Sequence, residues 1–156
     1  MKLTNLVFLR RNNQILLAMK KRGFGVGKIN GVGGKAGKDE SIEAAAIREA
    51  GEEISVTIDV KDLIKVAEIK FCFKDQVGWD IHCDIFFTYK WIGEPVESEE
   101  MLPSWYELNE IHYDKMWVDD KYWLPIVLSG KKIKAEFWFL GTGEKMDKYD
   151  IQEWVC

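Results

Sequence analysis

Cysteine, histidine and proline are all scarce in this chain: its 156 residues include three, two and three of them respectively. Cys72, Cys83 and Cys156 form no C-x-x-C pair and leave an odd count, which argues against a disulfide framework and for reduced thiols in a cytoplasmic protein. Of the two histidines, His82 alternates with Asp80 and Asp84 on an expected strand. Three such residues on one face are more often solvated than zinc-binding, so neither His82 nor His112 is assigned a role. No Pro- or Ser-rich linker, repeat or low-complexity stretch interrupts the chain, and one domain over residues 1–156 is expected. No apolar run approaches membrane-spanning length, and the opening apolar stretch meets Arg10-Arg11 too soon for a signal peptide. A formal net charge of -4 argues against a nucleic-acid polymer as partner, because binding polyphosphate calls for a basic surface. We expect no membrane partner and a monomer.

Apolar residues are plentiful, 47% of the chain, enough for a real core without staples. Two apolar runs, Leu6–Leu9 and Ile15–Met19, flank Arg10-Arg11-Asn12-Asn13-Gln14, where asparagine tolerates the left-handed backbone of a tight hairpin. Next comes a glycine cluster: Gly23, Gly25, Gly27, Gly31, Gly33, Gly34 and Gly37. Ser41 is a good N-cap for a helix over Ile42–Ile54, although Gly51 weakens its interior by roughly 1 kcal/mol relative to alanine. Branched and aromatic residues then predict strands over Ile64–Phe73 and Ile81–Trp91. Asp119-Asp120 cap a second helix, Lys121–Leu128, and the alternation at Ile133, Ala135, Phe137 and Phe139 reads as an edge or closing strand. A mixed sheet plus two helices makes the fold class α+β or α/β.

Residues three and four apart on a helix share a face, so Glu49, Glu52 and Glu53 form one acidic patch, with Ile47, Ala50 and Ile54 on roughly the opposite side. Three carboxylates so close repel one another unless a cation lies between them. A solvated helix face would explain three acids as well as a Mg²⁺ site would. The surroundings decide: Gly34, five residues, Glu40, seven residues, Arg48-Glu49, then Ala50, Gly51, Glu52-Glu53, Ile54, Ser55 and Val56. This run resembles the Nudix box, G-x5-E-x7-R-E-U-x-E-E-x-G-U with U bulky and apolar, at seven of nine specified positions, every charged one included. Ala50 replaces a bulky apolar residue. Ser55 replaces the glycine that ends the helix, so an altered helix end or local strain is expected there.

The resemblance implies an α+β fold, a mixed sheet between two helices in an α/β/α sandwich, and a hydrolase of nucleoside diphosphate linkages that uses Mg²⁺, with Mn²⁺ as a possible substitute. Its metal ligands would be Glu49, Glu52 and Glu53, joined by the Gly34 carbonyl and by Glu100, which matches a family glutamate near the metals. Glu53 or Glu52 would orient the attacking water, while Glu40 and Arg48 would be structural. Lys20-Lys21-Arg22-Gly23-Phe24-Gly25, Asn30-Gly31, Gly33-Gly34-Lys35, Pro95-Val96-Glu97-Ser98 and Met116-Trp117-x-Asp119-Asp120-x-Tyr122-Trp123 further resemble the family's MutT-homologue branch. That branch hydrolyses oxidised purine nucleoside triphosphates, such as 8-oxo-dGTP and 2-oxo-dATP, to monophosphate and pyrophosphate. It implies a small nucleotide substrate contacted by Lys20, Phe24, Asn30, Phe71, Trp117, Asp119 and Asp120. Trp117, Phe71 and Phe24 would supply flat walls, and Asp119, Asp120 and Asn30 would meet the polar edge of the base. The plain alternative is a core Trp117, an Asp119 that only caps its helix and an exposed Lys20. Ile29 stands where relatives often carry tryptophan, and Asn5 where they tend to carry threonine. Other Nudix substrates (dinucleoside polyphosphates, NADH, nucleotide sugars, capped RNA) or a non-catalytic nucleotide-binding module are the competing readings.

Overall fold

The computed structural model describes residues 1–154, so Cys156 lies outside the described residues. In chain order the elements are β1 (Lys2–Arg11), β2 (Gln14–Lys20), β3 (Ile29–Asn30), α1 (Ile42–Ile54), β4 (Ile64–Phe73), β5 (Ile81–Thr88), β6 (Met101–Glu107), α2 (Asp120–Leu128), β7 (Ile133–Leu140) and β8 (Lys145–Glu153). The strands form one mixed sheet in the order β3-β2-β1-β5-β4-β7-β8, with β6 pairing β2. The pairs β1–β5 and β4–β7 are parallel.

The predicted hairpin is present. Asn12 takes the left-handed turn, at φ 49°, between paired Arg11 and Gln14. Alternation along β1 sends successive side chains to opposite faces of the sheet. Val7 and Leu9 pack with Ala46, Ala50 and Ile54 of α1 on one face. Phe8 joins Ile69, Ile85 and Phe137 against Trp123, Leu124 and Val127 of α2 on the other. The result is the expected α/β/α arrangement. Ala50 and Ile54 are fully buried, whereas Ile47 only flanks that core.

Ser41 caps α1 as predicted, its Oγ accepting from the Ala44 amide at 3.1 Å. Ser55 ends the helix in the left-handed conformation, φ 64° and ψ 31°, with its amide donating to the Gly51 carbonyl. The helix end is therefore retained, and serine occupies the backbone state that glycine takes at least cost.

Two expectations are corrected, and two strands were not foreseen. The strand from Ile81 stops at Thr88 rather than Trp91. The strand from Ile133 is neither an edge nor a closing strand, because β4 flanks it on one side and β8 on the other. Strand β8 itself escaped notice because Lys145–Glu153 is largely exposed and carries no clear apolar alternation. Strand β6 was missed as well; it holds Pro103, tolerable because the strand pairs only with β2.

Candidate active site

The site is built where the loop after β3 meets α1. Glycine is required here for close approach. A Cβ on Gly33 would lie 2.0 Å from the Asn5 carbonyl oxygen, and one on Gly34 would lie 2.7 Å from Glu49 Oε1. The loop thus runs tight against β1, with the amide and Nδ2 of Asn5 both donating to the Gly34 carbonyl at 3.0 and 3.1 Å.

On α1 the three box glutamates have different surroundings. Glu53 is 6% exposed and its Oε2 has no hydrogen-bond partner. Burial, then neighbouring Glu49 and Glu100, push its carboxyl up to about 9 in the protein without metal, against the pull of the Gly33 amide. Glu49 is mostly buried and Glu52 mostly exposed. Arg48 grips Glu40 with two guanidinium nitrogens, at 2.8 and 3.0 Å, and reaches Glu49 at 3.1 Å and Glu52 at 3.3 Å. That pairing, helped by the Gly37 amide, holds the Glu40 carboxyl down at about 2. Arg48 and Glu40 thus tie the loop to the helix.

Glu100 follows the loop before β6 and is paired with Arg22 at 3.3 Å. The Lys21 amide donates to the Glu100 carbonyl at 2.8 Å. The loop carrying Phe24 and the loop carrying Glu100 are therefore tied together.

Lys20, Phe24, Asn30, Phe71, Trp117, Asp119 and Asp120, together with Gly33 and Gly34, line a single cavity of about 290 Å³. All seven sequence-derived contact residues converge there. Phe24 stacks on Trp117 with ring centroids 5.2 Å apart. The Asn30 Oδ1 already accepts from the Gly31 amide at 2.8 Å, so what Asn30 offers a ligand is its amide donor. Asp119 stands at the start of α2 but makes no capping hydrogen bond. Its Oδ2 accepts instead from the Trp123 indole N–H at 2.8 Å. Asp120 is 2% exposed, and its Oδ2 has no partner. Burial pushes both carboxyls up, Asp119 to about 6, and the Asp119 charge raises Asp120 further.

Sequence reasoning missed several lining residues, among them Lys28, Phe73, Cys83 and Phe139. The Lys28 ammonium lies 4.9 Å from the Trp117 ring centroid and opposes the rise of Asp120. Phe73 and Phe139 continue the alternation of Phe71 and Phe137, a signal that was available but read only as strand pattern. Ile29 is buried in the core beside Phe8 and Leu17 and does not line the cavity. Its replacement of an aromatic residue therefore alters packing behind the site rather than its wall. His82 Nε2 meets Asp84 and Glu68, whereas Asp80 turns away to accept from the Phe73 amide.

A glycine loop, an arginine–glutamate brace and crowded helix carboxylates together define a Nudix site. Residues 2–126 match the family model described as NUDIX domain, and the chain belongs to the Nudix family of hydrolases, enzymes that use divalent metals. Among curated relatives, a Danio rerio protein named "Oxidized purine nucleoside triphosphate hydrolase" is 44% identical over 141 residues, covering 90% of this chain and 88% of the relative. The Mus musculus protein of the same name is 42% identical over 139 residues, covering 88% and 86%. The fold is similar to the solved "mMutator MutT protein from Bacillus halodurans", with a TM-score of 0.84 over 97% of each chain at 21% identity.

Proposed function

We propose that this protein hydrolyses oxidised purine nucleoside triphosphates, such as 8-oxo-dGTP and 2-oxo-dATP, to the monophosphate and pyrophosphate, and so clears damaged precursors from the nucleotide pool. The observation that carries this is the buried pair Asp119 and Asp120 at the polar end of an aromatic-walled cavity that also includes the box glycines. A carboxyl kept protonated by burial and a charged neighbour can donate as well as accept, which suits the altered N–H and carbonyl pattern of an oxidised purine. The Asn30 amide adds a donor, and Trp117, Phe24 and Phe71 offer stacking faces. The names of the relatives point to the same substrate class.

Magnesium fits the residues present: two mostly buried glutamates, one with an orphaned oxygen, are crowded beside a third and need a cation. Glu49, Glu52, Glu53 and Glu100 would hold it, and Mn²⁺ would substitute. The Gly34 carbonyl can join them only if Asn5 loosens one of its two hydrogen bonds. The metal supplies charge neutralisation for the phosphates and a lower pKa for bound water. Glu53, or Glu52 beside it, would accept the proton of the water that attacks a bridged phosphorus; the P–O bond on its far side breaks, its electrons leave with the nucleoside monophosphate, and the attacked phosphorus keeps the water oxygen in pyrophosphate. Arg48, braced by Glu40, keeps Glu49 and Glu52 in place. Lys20, lining the same cavity, lies where it can contact the substrate. We take the protein to act as a cytoplasmic monomer on a small nucleotide, and its net charge of -4 disfavours a nucleic-acid polymer as partner.

Pyrophosphate release with Mg²⁺ across dGTP, 8-oxo-dGTP, 2-oxo-dATP, NADH and a diadenosine polyphosphate tests this, with Glu53→Gln as control. Preference for the oxidised purines, abolished by the substitution, is the expected result. Turnover of another substrate alone would keep the glutamate site and remove the purine reading. Inactivity on all five would favour a nucleotide-binding module.

A further inference from the structure

On the sheet face that α1 only partly covers, Glu68 of β4 and Asp84 of β5 stand directly opposite each other. Like charges in such a cross-strand pair are destabilising unless a cation lies between them. His82, two residues along β5 on the same face, brings its Nε2 to 3.0 Å from Asp84 Oδ1 and 3.9 Å from Glu68 Oε1. The three donor atoms all lie within 4.8 Å of one another. Ligands of a tetrahedral zinc at about 2.0–2.1 Å from the metal are spaced about 3.3 Å apart, so the observed separations need only small side-chain adjustment. The donors project from two paired strands, not from a loop, which fixes their spacing before any ion arrives.

A second observation comes from the neighbouring strand. Asn5 of β1 pairs in register with Asp84, so its side chain occupies the next position of the same cross-strand row. Its side chain turns to the active-site loop, with Nδ2 donating to the Gly34 carbonyl at 3.1 Å and Oδ1 beside Gly33. Among the described residues, the one ammonium bonded to the cluster is Lys65, 3.1 Å from Glu68 and 3.4 Å from Asp84. Two carboxylates against one lysine leave the group short of positive charge.

We propose that Glu68, His82 and Asp84 form a second divalent-metal site, separate from the Nudix glutamates and selective for a zinc-class ion over Mg²⁺. The imidazole sets the selectivity: nitrogen suits zinc, cobalt and nickel, whereas magnesium takes oxygen ligands and keeps its waters. Binding displaces Lys65 from the carboxylates and cross-links β4 to β5. Through Asn5, which holds the Gly34 carbonyl, the site abuts the active-site loop.

The test uses the full chain carrying Glu52→Gln and Glu53→Gln, so that the Nudix carboxylates no longer dominate metal uptake, and titrates it with Zn²⁺, Co²⁺ and Mg²⁺ by calorimetry and absorption. One equivalent of Zn²⁺ or Co²⁺ is expected, with a cobalt spectrum free of thiolate charge-transfer bands and no matching Mg²⁺ event. Adding His82→Ala should weaken binding by more than about 10-fold. Adding Lys65→Met should tighten it, because a competing cation is gone. In the otherwise native chain, His82→Ala should keep Mg²⁺-dependent activity, which also shows that the variant folds. No Zn²⁺ or Co²⁺ equivalent, a thiolate band, or binding unchanged by His82→Ala would overturn the site, whatever the outcome for nucleotide hydrolysis.

Discussion

Ser55 offers a stability change that can be worked out from one dihedral pair. It holds φ 64° and ψ 31° at the end of α1, and its side chain is exposed. An L-residue in that conformation costs roughly 1–2 kcal/mol. Ser55→Gly removes the cost, keeps the backbone N–H that donates to Gly51, and adds the conformational entropy of glycine to the unfolded chain, worth about 0.4–1 kcal/mol. The net gain is about 0.5–1 kcal/mol. With an unfolding entropy of about 2.1 cal/mol/K per residue, a chain of 156 residues should melt about 1.5–3 °C higher. Thermal unfolding followed by circular dichroism reads this directly, and Ser55→Val provides the opposite control, since a β-branched residue tolerates positive φ worst. Mg²⁺-dependent activity should not change by more than about twofold, because Ser55 projects into solvent and lies one turn from Glu52. A melting temperature that stays level or falls in Ser55→Gly, with helix content intact, would refute the idea that this helix end is strained.

Glu53→Gln should lower kcat by about 10²–10⁴-fold if Glu53 takes the proton of the attacking water, with a smaller effect on KM in steady-state assays. Its folded carboxyl is raised above the ordinary 4.5, so the stability tied to its protonated form is present below that value and is lost as pH climbs through about 9. Metal-free protein should therefore lose melting temperature between pH 5 and 9, and Glu53→Gln should flatten that slope. The raised Asp119 and Asp120 carboxyls act in the same direction, with stability fully present below about 3.8 and lost as pH rises through their elevated values. Asp120→Asn should accordingly be more stable than the parent at pH 8 and should shift the 8-oxo-dGTP to 2-oxo-dATP preference; unchanged selectivity in both Asp120→Asn and Asp119→Asn counts against the base-recognition role. Gly33→Ala places a Cβ against the Asn5 backbone and should cost about 1–3 kcal/mol in urea unfolding together with activity, whereas a silent substitution would mean that the loop can move away from β1.

Much of the site was legible because its signals are local. The helix period places Glu49, Glu52 and Glu53 on one side of α1, whereas a structural role for Arg48 and Glu40, which the structure joins by a hydrogen bond, was implied only by the resemblance to the Nudix box. The first hairpin and the Ser41 cap were equally readable, since a turn asparagine and an N-cap hydroxyl act within a few residues. Ser55 kept the helix end that glycine would have made because tertiary contacts on both sides of the loop override a local preference.

Chain order alone determined the acidic helix face and the glycine-rich loop, both consequences of side-chain period and backbone freedom. Tertiary structure decided the rest. It buried Glu53 while leaving Glu52 in solvent, although the two are adjacent. It turned Asp119 from a helix cap into an acceptor for Trp123. It brought Lys28, Phe73 and Phe139 to the cavity from three separate segments, and set Glu68 opposite Asp84 beside His82. Strand register and burial depend on pairings across the whole chain, and the desolvation that shifts a carboxyl comes from residues distant in sequence.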